Sequence, residues 1–155
     1  MAGTFSQLHI HLVFAVKAHQ SSFIKQIWKE ETEKYIRGII SNLNCKLLAI
    51  YCNPDHTHIL IGIRPVIAIS DLVREIKSSS SKFIHDKFDK NNHFHWQNGY
   101  GVFSCSFSQI DKVQQYIMNQ NEHHRKRTFR EEYLDMLNKT NTPYKNEYLF
   151  DWVLG

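Results

Sequence analysis

The sequence predicts an α+β fold built on a single antiparallel sheet. Apolar residues fall into four short, strand-length stretches and into three longer ones where they recur at three- and four-residue steps, the period of a helix. An Asn-Pro-Asp turn at residues 53–55 separates the two middle strands, and so short a connection predicts an antiparallel hairpin. A chain of 155 residues with 42% apolar content fits one folded domain.

The first half of the chain predicts the order β-α-β-β. Residues 5–17 form the first strand, with an apolar face and a face that carries histidines. Ser22 is expected to cap a helix that ends near Leu43. Residues 45–52 form the second strand, and the third follows the turn and extends to Ile63.

The second half predicts a helix, a strand and a further helix. Ser70 is expected to cap the first of these helices, and the strand runs from about residue 100 to 107. Ser108 is expected to cap the last helix, with Asp111 in a capping box, and this helix continues to about Arg125. The order β-α-β-β-α-β is that of a ferredoxin-like (RRM-like) sheet, with two helices on one face and the other face free for a ligand or another element.

Charge and composition narrow the classes of function. The formal net charge of +4 and the pI of about 8.9 are compatible with a nucleic-acid partner. No apolar run is long enough for a membrane span, and no secretory signal pattern opens the chain. The three cysteines, Cys45, Cys52 and Cys105, form no C-x-x-C pair and are expected to be buried thiols in a reducing cytoplasm.

A His-Thr-His motif follows the turn between the middle strands. Side chains along a strand alternate, so His56 and His58 point to one face while Thr57 and Ile59 point to the core. Two imidazoles about 7 Å apart on one strand face can bind a single divalent metal. The alternative is that His56 caps the turn and His58 is a half-buried strand histidine.

A second His-x-His pair lies on the first strand, at His9 and His11. No turn precedes this pair, and no third ligand matches it. We therefore interpret both as strand histidines and expect His11 to lie near the first pair as a supporting group.

A tyrosine and a glutamine lie four residues apart on the last predicted helix. Tyr116 and Gln120 are therefore stacked along one flank, and the amide oxygen of Gln120 can complete a metal site beside the phenol. A single tyrosine on a helix is more often part of a core or an interface. Its combination with a His-x-His strand is much rarer.

These motifs resemble those of the IS200/IS605-type transposases, single-tyrosine (Y1) enzymes of the HUH (His-hydrophobic-His) nuclease superfamily. The matching segments follow one another in family order and are residues 11–14, 54–60, 69–73, 76–77, 96–100 and 116–120. They cover most of the chain from about residue 8 to residue 125. Thr57 departs from the bulky apolar residue that the family name implies.

The resemblance implies a metal-assisted DNA transposase. His56, His58 and Gln120 would hold Mg²⁺ or Mn²⁺, although imidazole-rich sites also suit zinc. Tyr116 would attack a phosphodiester of single-stranded DNA at the ends of an insertion element. The products would be a 5′-phosphotyrosine and a free 3′-OH, which can later rejoin DNA.

The resemblance also implies partners and boundaries. Family members recognise DNA hairpins as homodimers with active sites shared between subunits, so we expect such a dimer on DNA in a prokaryotic cytoplasm. Lys77, Arg125 and Lys126 are the candidate DNA contacts, whereas a solvated helix end is the alternative for the basic cluster at 123–127 and Arg130. We expect the transposase domain to span residues 1–127, with its tyrosine helix at about 108–125. Residues 128–155 would pack on that domain or on the partner subunit.

Three other functions compete with this one. A domesticated relative would bind and nick repeated genomic hairpins. A non-catalytic, ferredoxin-like domain for single-stranded nucleic acid would carry exposed aromatic pairs on its central strands, but here aliphatic residues and histidines occupy them. A 2H-type phosphoesterase would need two separated His-x-Thr/Ser motifs, and the sequence has no such pair.

Overall fold

The computed structural model describes residues 3–17 and 24–152. Within these residues the β-α-β-β-α-β order is confirmed, and three short helices follow it. The elements are β1 (Leu8–Ala15), α1 (Gln26–Asn42), β2 (Lys46–Cys52), β3 (His56–Ile63), α2 (Ile69–Lys87), β4 (Gly101–Cys105), α3 (Ile110–Met118), α4 (Gln120–His123) and α5 (Phe129–Lys139). Among the described residues, no helix has the length and apolar content that a membrane span requires.

The four strands form one antiparallel sheet in the order β2-β3-β1-β4. Strand β1 lies in the middle, where Val13 is opposite His58 of β3 and Gly101 of β4. The predicted hairpin joins β2 to β3, and the backbone N–H of Asn53 donates to the carbonyl of His56 across its turn. This arrangement is the predicted ferredoxin-like sheet, and it places the His-x-His strand next to the centre.

One face of the sheet carries the main core. Alternate residues of the strands pack there against α1 and α2, as the period-two pattern predicts. The largest fully buried members are Leu12, Phe14, Ile36, Ile40, Ile59, Ile61, Leu72, Ile76, Ile84 and Phe94. Each such side chain contributes about 1.5–3 kcal/mol on burial, so this layer fixes the position of β3.

The other face, predicted to be free for a ligand or another element, is covered by the C-terminal elements. Helix α5 packs Phe129, Tyr133 and Leu137 against Val13 of β1 and Phe103 of β4. Helix α3 packs beside it and buries Ile117 in a cluster with strand residues. Residues 110–139 therefore form a second layer directly over the histidine side of β3.

Some predicted details are corrected by the structure. Ala68 rather than Ser70 is at the N-cap of α2, because the partly buried Ile69 already belongs to the first turn and Ser70 lies inside the helix. Ser108 lies in a 3-10 turn that leads into α3, so Gln109 takes the N-cap position. The expected cap at Ser22 lies outside the described residues. The three cysteines are free and buried, as predicted.

The predicted tyrosine helix does not continue to Arg125. Helix α3 ends at Met118, and Asn119 leaves helical geometry with φ −101° and ψ 23° before α4 begins at Gln120. Asparagine tolerates such irregular backbone because its short polar side chain can bond locally. This break separates Tyr116 and Gln120 onto two helices.

Candidate active site

Strand β3 points both histidines of its motif into the second layer. The side chain of His56 is buried, and its Nδ1 lies 2.7 Å from Oδ1 of Asp55, the last residue of the turn. The carboxylate raises the pKa of His56 even though burial acts to lower it. The turn therefore fixes the ring orientation of His56.

The second histidine is held from the neighbouring strand. Nδ1 of His58 lies 2.8 Å from Nε2 of His11, so His11 adjoins the motif as expected. Burial lowers the pKa of His11 to about 3 and lowers that of His58 as well, although the Glu132 carboxylate opposes the shift at His58. His9, the other member of the rival pair, packs its ring over Gly62 instead.

Helix α3 brings Tyr116 to the same place. Its ring centroid is 6.0 Å from that of His58, and its hydroxyl donates to Oε2 of Glu132. Nη2 of Arg127 lies 3.1 Å from the phenol oxygen. Burial and the Glu132 carboxylate raise the pKa of Tyr116 above its ordinary value, and Arg127 opposes this shift.

Gln120 reaches the site from the first turn of α4. Its Oε1 accepts a hydrogen bond from Asn53 Nδ2 at 3.0 Å and lies 2.9 Å from Nε2 of His124. Its Nε2 donates to Oε2 of Glu132 at 3.0 Å. The structure thus brings together all four residues that the sequence proposes for the metal and the nucleophile.

The sequence analysis did not identify Glu132 and His124 as residues of the site. Oε1 of Glu132, on α5, lies 3.0 Å from Nε2 of His58 and 3.2 Å from Nε2 of both His56 and His124. Donor atoms of these four residues all lie within 4.8 Å of one another, a geometry that fits a divalent metal. Burial opposes ionisation of Glu132, but the neighbouring His58 and the hydrogen bonds from the surrounding histidines keep its pKa low.

A helical pattern does mark Glu132. Phe129, Glu132, Tyr133 and Leu137 recur at steps of three, one and four, and all of them are buried on one side of α5. A carboxylate in such a stripe is unusual, because carboxylates are almost never fully buried without partners. The position of Glu132 within an apolar stripe is therefore the feature of the sequence that could have indicated its role.

The predicted DNA contacts lie in two places. Lys77 donates to the carbonyl oxygens of Gln97 and Gly99, at 2.8 and 2.6 Å, and belongs to α2, which packs on the sheet face opposite the histidines. Arg125 and Lys126 are exposed and line a cavity of about 450 Å³ beside the turn that precedes His56. This cavity borders the site.

The fold and site define an α+β protein with a metal-type donor cluster beside a tyrosine. Residues 4–120 match the family model described as "Transposase IS200 like". The chain therefore belongs to the IS200-like transposases, a family of DNA-processing enzymes, and the resemblance seen in the sequence is confirmed.

Individual relatives agree with this family. The chain is 28% identical over 117 residues to the transposase for insertion sequence element IS200 of Salmonella typhimurium, covering 72% of this chain and 76% of the relative. It is 24% identical over 127 residues to the ISDra2 transposase TnpA of Deinococcus radiodurans, covering 77% of this chain and 89% of the relative.

Solved structures share the fold. A candidate transposase from Deinococcus radiodurans superposes with a TM-score of 0.61 at 27% identity, over 77% of this chain and 95% of that one. A REP-associated tyrosine transposase bound to a REP hairpin superposes with a TM-score of 0.55 at 15% identity, over 79% of this chain and 74% of that one. The family match ends at residue 120, so His124 and Glu132 lie beyond it.

Proposed function

We propose that this transposase cleaves and rejoins single-stranded DNA at insertion-element ends through a covalent bond to Tyr116. The observation that carries the proposal is the position of the phenol oxygen. It is one hydrogen bond from the Glu132 carboxylate, whose other oxygen faces the imidazoles of His56 and His58. A nucleophile and a metal-type donor cluster thus share one small volume, as phosphoryl transfer requires.

His56, His58 and Gln120 are the residues that would hold a divalent metal, with Mg²⁺ or Mn²⁺ as the proposed ion. Imidazole nitrogens and an amide oxygen can bind a divalent ion, and Asp55 orients the first ring as a supporting carboxylate does in metal sites. The bound metal would supply charge stabilisation at the scissile phosphate.

The side chains of the chain perform the remaining chemistry. The phenol of Tyr116 loses its proton and its oxygen attacks phosphorus, so that a P–O bond forms to the phenol. The bond to the 3′ oxygen breaks, and that oxygen takes up a proton, which gives a 3′-OH and a 5′-phosphotyrosine. Arg127, 3.1 Å from the phenol oxygen, favours its ionised form. Because the phosphodiester energy is retained, a 3′-OH can attack the adduct and rejoin DNA.

We propose DNA hairpins as the recognised partner, with Arg125 and Lys126 as phosphate contacts beside the site and Lys77 as a more distant one. The 450 Å³ cavity lined by the first two supports this, since its cations adjoin the turn before His56. We also propose that residues 1–127 form the transposase domain and that residues 128–155 are an extension packed on it. The protein would work as a homodimer in the cytoplasm.

An adduct assay tests the proposal. Wild type and Tyr116→Phe are incubated with labelled single-stranded DNA from the flanks of the gene and Mg²⁺ or Mn²⁺, and a denaturing gel separates protein-linked DNA. We expect an adduct that requires metal and is abolished in Tyr116→Phe. Tyr148→Phe, which alters an exposed tyrosine of the C-terminal segment, is the control and should retain the adduct. An adduct that persists in Tyr116→Phe would contradict the proposal.

A further inference from the structure

We propose that His124 and Glu132 are themselves metal ligands, so that the α4–α5 segment completes the metal site in the same chain. This inference rests on the proposed function, because it concerns the metal used there. It extends the ligand set to residues beyond the family match, which ends at residue 120. Gln120 then orients Glu132 through its amide N–H, at 3.0 Å from Oε2.

The ring protons of two histidines support the inference. Nδ1 of His56 faces a carboxylate oxygen of Asp55 at 2.7 Å, and Nδ1 of His124 faces the carbonyl oxygen of Arg127 at 3.2 Å. Both oxygens can only accept a hydrogen bond, so the ring proton of each histidine is on Nδ1. In the neutral ring this leaves a lone pair on Nε2, which is the form that binds metal.

Each lone pair then has an oxygen of Glu132 nearby, and that of His56 also lies 3.2 Å from Nδ2 of Asn53. Nε2 of His124 lies 2.9 Å from Oε1 of Gln120 and 3.2 Å from Oε1 of Glu132, and Nε2 of His56 lies 3.2 Å from the same carboxylate oxygen. Lone pairs that face each other at such distances repel. A divalent cation among them removes the repulsion between the imidazole nitrogens and the Glu132 carboxylate.

Nε2 of His58 supplies the third nitrogen, at 3.0 Å from Oε1 of Glu132. Hydrogen bonds from the far ring nitrogens of all three histidines, to Asp55, His11 and Arg127, are the supporting contacts typical of metal-binding imidazoles. Oε2 of Glu132 meanwhile accepts from the hydroxyl of Tyr116. One carboxylate therefore links the metal position to the nucleophile.

Metal binding without DNA tests the inference. Protein stripped with EDTA is titrated with Mn²⁺ by calorimetry, and the Mn²⁺-induced rise in melting temperature is measured separately. We expect one Mn²⁺ per wild-type chain and a rise in Kd of about tenfold or more in Glu132→Gln and His124→Gln. Each variant is compared with its own metal-free melting temperature, which separates lost ligation from lost folding.

The matched controls are Glu131→Gln and His95→Gln, which alter exposed residues of the same two types. Glutamine at position 131 also preserves the capping box with Thr128. Both controls should bind Mn²⁺ as wild type does.

Two results would overturn the inference. If Glu132→Gln and His124→Gln bind Mn²⁺ as tightly as wild type while His58→Ala does not bind, the ligands are those of the family segment and the proposed function stands. If wild type binds no Mn²⁺ but forms a metal-independent adduct at Tyr116, the inference and the metal in the proposed function fail together.

Discussion

The two faces of strand β3 differ in what holds them. Thr57, Ile59 and Ile61 are buried on one face, where the two isoleucines join a large apolar cluster under α1 and α2. His56 and His58 point to the other and are equally buried, but their contacts are polar and specific. Alternate residues of one strand thus contribute to the apolar core and to the candidate active site.

The difference shows how burial can serve two purposes. Apolar contacts are non-directional, so the first face tolerates exchange among side chains of similar volume. The second face buries imidazoles and a carboxylate, which is costly unless every polar atom has a partner. Its partners come from as far as Glu132, 74 residues beyond His58. The site therefore depends on the docking of α5, whereas the core does not.

The largest expected effect on stability is on the core face. Ile59→Ala should lower the free energy of unfolding by about 2–5 kcal/mol, because it leaves a cavity beneath two helices. Urea unfolding measures the loss, and Ile27→Ala at an exposed position of α1 is the control. The adduct yield per folded molecule should be unchanged. If the folded fraction of Ile59→Ala formed less adduct than wild type, the two faces of β3 would not be independent.

The sequence predicts the core face well because it requires only local information. Side chains of a strand alternate between its faces, which places Ile59 and Ile61 together, and the turn at 53–55 predicts the hairpin. It also predicts His56, His58, Tyr116 and Gln120 as neighbours, through the combination of motifs rather than through any one of them.

The rest of the site could not be predicted in the same way. The role of His124 depends on the break at Asn119, which redirects the chain after α3. Glu132 depends on how α5 packs over the sheet, a contact between segments far apart in sequence. A charged residue on a helix is ordinarily solvated, so the apolar stripe that contains Glu132 does not by itself show which site the carboxylate joins.

A smaller effect should come from the contact between β4 and α5. A Cβ on Gly101 would lie 2.6 Å from the hydroxyl oxygen of Tyr133, so the ring must move. Gly101→Ala should lower the free energy of unfolding by about 1–3 kcal/mol and also weaken Mn²⁺ binding, because Tyr133 and Glu132 share α5. Unfolding and calorimetry measure the two effects. Gly38→Ala, where nothing crowds the new methyl group, is the control, and unaltered Mn²⁺ binding in Gly101→Ala would contradict the coupling.

The smallest effect concerns a charged residue on the core side, Lys77 of α2. Burial lowers its pKa to about 8, whereas an unfolded lysine titrates near 10.4. Between these values the unfolded chain binds more protons, so the contribution of Lys77 to the free energy of unfolding rises with pH.

The difference in unfolding free energy between wild type and Lys77→Met isolates this contribution, because other groups cancel. It should be constant below about pH 7 and should shift in favour of wild type from about pH 8 to pH 10. Lys82→Met, an exposed lysine on the same helix, controls for the loss of a surface charge. A pH-independent difference for Lys77→Met would mean that its bonds to Gln97 and Gly99 offset its burial. The polar groups on both faces of the sheet would then be held in the same way, by partners that satisfy them.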